Sequence, residues 1–291
     1  MISMRYLIVS LAAVFLALGI GIFIGFMFDG QEIFLNQQEA LIDELEYKFG
    51  EIRIENEGLH ETINIKDRQI SYYESFVSNV FPKLIQSKLI GMNIAIIETN
   101  EDYNYNQLIS TIENANGEVS SITYIKNGFA NIEKRKMEEI YQYFSEFKGI
   151  TIDRDKFPVF LSDYLVQAIL EQDKDTLQLL RNNDLIELRG DFSKNIDCFI
   201  IAGGSAREEY EELIEMIDIP IIKRIKQYNM PVVGVERSEV KISSMDDYKR
   251  QKISTVDNID TLMGQYSLVE VILGNNGNYG IKPSADNFMP E

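Results

Sequence analysis

Cysteine and histidine are almost missing from this chain: each occurs once in 291 residues, as Cys198 and His60. A lone cysteine excludes an intrachain disulfide framework, a CxxC redox pair and any thiolate zinc cluster. A lone histidine removes histidine-rich metal sites and most histidine-dependent catalysis. Basic charge is scarce too. The 28 Lys and Arg stand against 46 Asp and Glu, a net charge of −18, which argues against nucleic acid or an anionic membrane surface as a partner. Tryptophan is absent, whereas Tyr and Phe are plentiful. No GxGxxG, GxxxxGK[ST] or GxSxG occurs, so the common nucleotide-binding and nucleophile-elbow signatures are missing. No catalytic residues are assigned, and the expectation is a non-enzymatic protein. Cys198, inside an apolar run, reads as a small buried hydrophobe, and His60, among Glu57, Glu61 and Asn64, as a solvated helix residue.

What is present begins with Tyr6–Phe28, a stretch without a charged residue. At about 1.5 Å per residue it is long enough to cross a hydrocarbon core of roughly 30 Å as a helix. Arg5 precedes it and Asp29 and Glu32 follow. The positive-inside bias then predicts a single-pass plasma-membrane protein, with a cytoplasmic tip at residues 1–5 and an extracytoplasmic remainder. A cleaved signal peptide is the competing reading. The run exceeds a typical h-region, and Phe26–Asp29 offers no small-x-small cleavage site, which favours an uncleaved anchor. Ala13, Ala17, Gly21 and Gly25 recur every fourth residue and predict a helix-packing face.

Residues 31–80 contain no proline and read as a coiled coil. Phe49, Asn56, Ile63, Ile70 and Val77 take a positions; Ile52, Leu59, Lys66, Tyr73 and Val80 take d positions. Phe34, Leu41 and Leu45 continue the pattern upstream after a stutter. With the anchors in one membrane, the expectation is a parallel homodimer through the transmembrane helix and the coiled coil, with Asn56 fixing the register. The alternative is an amphipathic helix packing back on its own domain. Pro82 predicts the end of this helix, and a short helical piece is expected over Lys83–Leu89.

Residues 90–291 alternate apolar strands with helices. Strands are expected at Asn93–Glu98, Glu118–Ile125, Asp197–Ala202 and Val232–Glu236. Helices are expected at Tyr103–Ala115, Asn131–Phe147, Pro158–Asn182, from Ala206 towards Met216, and at Ile219–Asn229 and Ile259–Leu273. The class is α/β: a transmembrane helix and coiled-coil stalk followed by a Rossmann-like, three-layer domain with a mostly parallel sheet. In such sheets ligands gather at the C-terminal strand ends, here Glu98-Thr99-Asn100, Gly203-Gly204-Ser205 and Glu236-Arg237-Ser238. The turn Gly203-Gly204-Ser205 could offer backbone N–H groups to an anion, although a Gly-Gly turn is more often only a turn. Asp257, Asp260 and Gln265 surround the last helix and read as capping.

The sequence as a whole resembles the mycobacterial copper transport outer-membrane protein family (MctB-like). The resemblance rests on the N-terminal MISMRYLIVSLAAVFLALGIGIFIG, the coiled coil, the α/β domain and a tail containing Asp257, Asp260, Gln265, Gly277, Tyr279 and Gly280. It implies copper homeostasis or transport at the cell envelope, with copper as the only metal suggested and no metal ligands assigned. Some relatives are associated instead with cell-wall remodelling and daughter-cell separation. An envelope scaffold engaging cell-wall or division partners is therefore the alternative function. Copper favours thiolate, thioether or imidazole donors, and the methionines of this chain are scattered. No alternating-polarity strands of the outer-membrane barrel type occur.

Overall fold

The structure, a computed structural model, describes residues 4–291 and the side chains of all of these but 28–36. The first three residues of the expected tip, and the side chains of Phe28, Asp29, Glu32 and Phe34, lie outside the described residues. The chain divides into two compact units, Met1–Glu74 and Ser75–Glu291.

The first unit belongs to one helix, α1 (Met4–Ile85). Met4–Met27 is apolar and long enough to cross a membrane, with a mean hydropathy of 2.8. Ala13, Ala17, Gly21 and Gly25 lie along this stretch, and a Cβ added at Gly21 or Gly25 would meet nothing within 4 Å. Further along, the side chains of Phe49, Ile52, Leu59, Ile63 and Ile70 are each more than half exposed in the single chain. Asn56 and His60 are exposed as well.

The second unit is organised around β1 (Asn93–Glu98), whose sequence NIAIIE is almost wholly buried. Side chains alternate along a strand, so Ile94 and Ile96 enter one core while Ala95 and Ile97 enter another. The other strands are β2 (Glu118–Ile125), β3 (Ile186–Gly190), β4 (Cys198–Ala202), β5 (Val232–Val235), β6 (Ser254–Val256) and β7 (Asn278–Tyr279). They form one sheet in the order β3-β2-β1-β4-β5-β6-β7. Every neighbouring pair is parallel except β2 with β3, which is antiparallel. All five residues of β4 (CFIIA) are buried, as expected for a parallel strand covered on both faces.

Helices cover both faces. On one lie the end of α1, through Phe81 and Ile85, α2 (Asn106–Asn114) and α9 (Leu262–Ile272). On the other lie α3 (Lys134–Phe147), α4 (Phe157–Leu170), α5 (Lys174–Asn182), α6 (Tyr210–Leu213), α7 (Ile219–Gln227) and α8 (Met245–Arg250). Phe144 of α3 meets Phe160 and Tyr164 of α4 edge-on, with ring centroids 5.0 and 4.7 Å apart, a favourable aromatic arrangement.

Several boundaries differ from expectation. Pro82 does not end the first helix, which continues to Ile85. Proline forfeits one helical hydrogen bond, and the buried Phe81 and Ile85 on either side hold the last turn in place. The second compact unit, from Ser75, includes this last stretch of α1. The helix expected over Pro158–Asn182 is two, α4 and α5, separated at Gln172, whose φ is 57°. The helix expected from Ala206 starts at Tyr210. Three short strands, β3, β6 and β7, were not foreseen.

Ile85 is fully buried, so Ile85→Ala should lower the stability of the α/β unit by about 2–5 kcal/mol. Ile65, on the exposed part of α1, should tolerate the same change within about 0.5 kcal/mol. Urea denaturation of the full chain in uncharged detergent, followed by tyrosine near-UV circular dichroism, separates the two.

Candidate functional site

The strand order reverses between β1 and β4. From β1 the chain passes through α2 to β2 on one side, and from β4 through α6 and α7 to β5 on the other. The intervening helices lie on opposite faces: α2 contributes Leu108 and Ile112 to one core, α7 Ile221 and Ile222 to the other. Such a reversal opens a crevice beyond the carboxyl ends of the two strands. Glu98-Thr99-Asn100 and Gly203-Gly204-Ser205 meet there. Thr99 N donates to the Ala202 carbonyl at 3.0 Å and Asn100 Nδ2 to the Gly204 carbonyl at 3.0 Å, while the Tyr105 hydroxyl donates to Gly203 O.

The Gly203-Gly204-Ser205 turn is not a free anion cradle. Gly203 N donates to Val235 O at 2.9 Å, Gly204 N to Ser244 Oγ at 3.1 Å and Ser205 N to Ile242 O at 2.9 Å. All three amides are consumed inside the protein, as in a turn that serves the fold alone. Glycine is required at 203 for packing: a Cβ there would lie 2.3 Å from the Tyr248 hydroxyl oxygen. The Ser205 hydroxyl bonds Asp102, which also accepts from Arg207 Nε at 3.1 Å and Ala206 N at 3.2 Å. These bonds hold residues 205–207 out of the helix. Desolvation pulls the Asp102 carboxyl upward, but its donors Ser205 and Arg207 keep it below the usual range.

Beneath the crevice, Asp218 is completely buried at the end of a π-helical turn, Ile214–Asp218. Tyr210 OH donates to its Oδ1 at 2.7 Å, Tyr248 OH and Thr99 Oγ1 reach Oδ2, and Tyr210 OH also lies 2.6 Å from Thr99 Oγ1. Desolvation raises the Asp218 carboxyl to about 7, against the lowering effect of the tyrosine donors.

The chain's end is fastened to the same edge. Glu236, directly after β5, is fully buried and accepts from Lys282 Nζ at 2.6 Å, Ser243 Oγ at 2.6 Å and Ser244 N at 2.9 Å. Burial raises its carboxyl, with Lys282 opposing. Asp257, after β6, accepts from Ile281 N at 2.8 Å and Lys282 N at 2.9 Å. Gly280 has φ +143°, and a Cβ there would fall 1.9 Å from Asp257 Oδ1. Tyr279 is buried in β7 beside Val256, and the Gly277 carbonyl accepts from Thr255 N at 3.1 Å. Asp257 and Asp260 are therefore not helix caps. Thr261 caps α9, accepting from Gly264 N at 3.1 Å, while Asp260 binds Ser238 N and Oγ at 2.7 and 2.6 Å. Gln265 lies in the first turn of α9, its N–H donating to Thr261 O. Thus Asp257, Gly277, Tyr279 and Gly280 converge on one tail-docking arrangement.

On the other side of β4, over the ends of β1, β2 and β3, a cleft of about 380 Å³ is lined by Glu98, Asn100, Asp102, Tyr124, Lys126 and Arg189, among others. Burial raises the Glu98 carboxyl to about 7, with Arg189 pulling the other way. Arg189 lies 4.9 Å from the Tyr124 ring centroid, a cation–π contact. Sequence reasoning found Glu98 as a strand-end residue but missed Tyr124, Lys126 and Arg189, because Arg189 arrives on the unforeseen β3. A larger depression of about 560 Å³ lies at the opposite edge, by Val232 and Ser254, away from the switch.

Soft metal donors are sparse. Cys198 is buried in β4 and desolvation pushes its thiol up to about 12. Among the described residues no group of three or more His, Cys, Asp and Glu is placed to hold a metal. Two methionines do share a site: Met263 and Met289 line an apolar recess of about 350 Å³ with Phe81, Leu84 and Tyr266.

The features so far define an α/β protein with a mostly parallel sheet and a long N-terminal apolar helix compatible with membrane anchoring. The chain matches the family model described as "Copper transport outer membrane protein, MctB" over residues 1–290, and it belongs to that family. No curated protein gives a match.

The folded protein keeps the Asp218 proton up to about pH 7, whereas an aspartate free in water releases it near 3.8. The group therefore stabilises the fold most below about pH 4, and that contribution is lost as pH rises through 7. Asp218→Asn should remove this dependence. Between pH 5 and 7 the stability of the wild type relative to the variant should fall by on the order of 2 kcal/mol, read by urea denaturation at each pH.

Proposed function

We propose that this protein is a single-pass plasma-membrane protein, N-terminus in the cytoplasm, with a non-enzymatic role in copper homeostasis at the extracytoplasmic face. The family match across residues 1–290 supports the copper role, and Arg5 before the apolar segment supports the orientation. The apolar Met4–Met27 segment supports the anchor. Reversal of strand order between β1 and β4 supports a Rossmann-like description of the α/β unit. Direct copper binding finds its best support in Met263 and Met289, since thioethers suit Cu(I), with Glu291 at the rim of the same recess. Under this reading copper is the cargo, and the recess is a weak, transient station rather than a closed cage.

The test is an anaerobic Cu(I) titration of the full chain in uncharged detergent against a competing chelator. The expected result is saturable binding that weakens at least about tenfold in Met263→Leu/Met289→Leu, through loss of the soft ligands. Absence of binding, or binding indifferent to both substitutions, would contradict direct copper handling by this site.

A second reading, an envelope scaffold for cell-wall or division partners, is favoured by the exposed apolar residues of α1. Phe49, Ile52, Leu59, Ile63 and Ile70 are spaced three, four or seven apart, with Asn56 and Lys66 at the intervening positions, and are exposed in the single chain. A parallel coiled-coil homodimer would cover them. Ile63→Cys should then give an efficient disulfide-linked dimer in membranes under mild oxidation, since Cys198 is buried. An exposed b- or f-type control, Glu57→Cys, should crosslink poorly. Equal crosslinking at both positions would refute the register.

A further inference from the structure

The carboxylates at the C-terminal edge of the sheet are not all alike. Asp102 is held by Ser205 and Arg207, Asp218 by Tyr210 and Tyr248, Glu236 by Lys282, and Asp257 by the amides of 281 and 282. Glu98 is only 6% exposed, lines the 380 Å³ cleft, and its carboxyl accepts no hydrogen bond from any described side chain or loop amide. Its oxygens are not fully enclosed, so the little exposure that remains opens onto the cleft, and ionising a carboxyl this short of water and donors is costly.

The surrounding cations are already matched. Lys126 Nζ lies 3.0 Å from Glu101 and 3.5 Å from Glu187, Arg189 lies 2.9 Å from Glu187, and Arg207 lies 2.9 Å from Asp102. Facing Glu98 are Arg189 from β3, Tyr124 from β2 and Tyr105 ahead of α2, with Glu236 acting on Tyr105 from the end of β5. Asn100, Asn104 and Tyr103 complete the wall. The Asn100 and Asn104 side-chain oxygens already accept from the amides of Asp102 and Asn106. The result is one acid without a donor beside cations that are paired with other carboxylates, surroundings that suit a further cation which also donates hydrogen bonds.

We propose that this cleft binds a small primary-ammonium ligand, its nitrogen donating to the Glu98 carboxylate and its carbon skeleton lying against Tyr103 and Tyr124. A neutral polyol would leave the acid without a counter-charge. A metal ion is disfavoured because no group of three or more His, Cys, Asp and Glu gathers among the described residues. The inference is independent of the copper reading, since it uses none of the residues of the Met263–Met289 recess.

Because burial holds the Glu98 proton to about 7 and an ammonium group pairs only with the ionised form, affinity must climb with pH. The increase between pH 6 and pH 8 should be about tenfold. The test is equilibrium dialysis of radiolabelled ethanolamine against the full chain in uncharged detergent at about 0.15 M salt, which screens general attraction to an acidic protein. The expected result is one saturable site, at least about tenfold weaker binding of ethylene glycol, the rise with pH, and at least about tenfold loss in Glu98→Gln. The wild-type pH profile reads the same claim without relying on the folding of the variant. Equal binding of ethylene glycol, no binding, a flat pH profile, or full binding by a folded Glu98→Gln would each overturn the proposal. Stoichiometric displacement of ethanolamine by Cu²⁺ that also depends on Glu98 would overturn it in favour of a metal site.

Discussion

A carboxylate taken out of water must be paired, hydrogen-bonded or protonated, and the C-terminal edge of this sheet is built from acids under that constraint. Glu98 ends β1, Glu236 follows β5 and Asp257 follows β6, with Asp218 buried below them. Each solution places a segment of chain. Glu236 and Asp257 together fix residues 281 and 282, and with them the tail. Asp102 secures the turn after β4. Asp218 joins Tyr210 of α6, Tyr248 of α8 and Thr99 beyond β1 into one network. Removing one partner of a buried pair typically costs about 3–5 kcal/mol, a large share of the 5–15 kcal/mol that stabilises an ordinary domain. The edge thus holds the fold together alongside the apolar cores behind it.

This constraint also explains why the glycine turn does not serve an anion. Gly203, Gly204 and Ser205 spend their amides on Val235, Ser244 and Ile242, tying β4 to β5 and to the loop before α8. The space left at the edge is the cleft beside Glu98, on the β1–β2–β3 side of the point where strand order reverses. Ligand chemistry is therefore expected from side chains, and the most distinctive of these is the acid without a donor.

The central strands were legible because β1, β2, β4 and β5 carry runs of apolar residues that need no tertiary context to stand out. The short strands were not. β6 has only Ser254–Val256 and β7 only Asn278–Tyr279, and both exist because neighbouring backbone completes their hydrogen bonds. β3, IELRG, is a half-exposed edge strand whose charged residues hide its pattern. At the site, Glu98 and Glu236 could be located as strand ends, whereas their surroundings could not. Arg189 comes from far along the chain, and Asp218 looks in sequence like any helical acid. Asp257 and Asp260 mimic a cap locally, while their actual donors, Ile281, Lys282 and Ser238, are more than twenty residues away. The tail motif was one part of the resemblance to the MctB family, and the structure gives it a physical basis in tail docking, with glycine needed at 280 because a side chain would strike Asp257.

The most direct test of this account is the titration of Glu98 itself. Carboxyl carbon NMR of the full chain labelled at glutamate, with Glu98→Gln to assign the signal, reads its ionisation without any ligand. The account predicts a midpoint near 7, set by burial without a protein donor. A midpoint at the ordinary glutamate value of about 4.3 would mean that the carboxylate is solvated or paired, and would contradict the view of the cleft as a site waiting for a cationic partner.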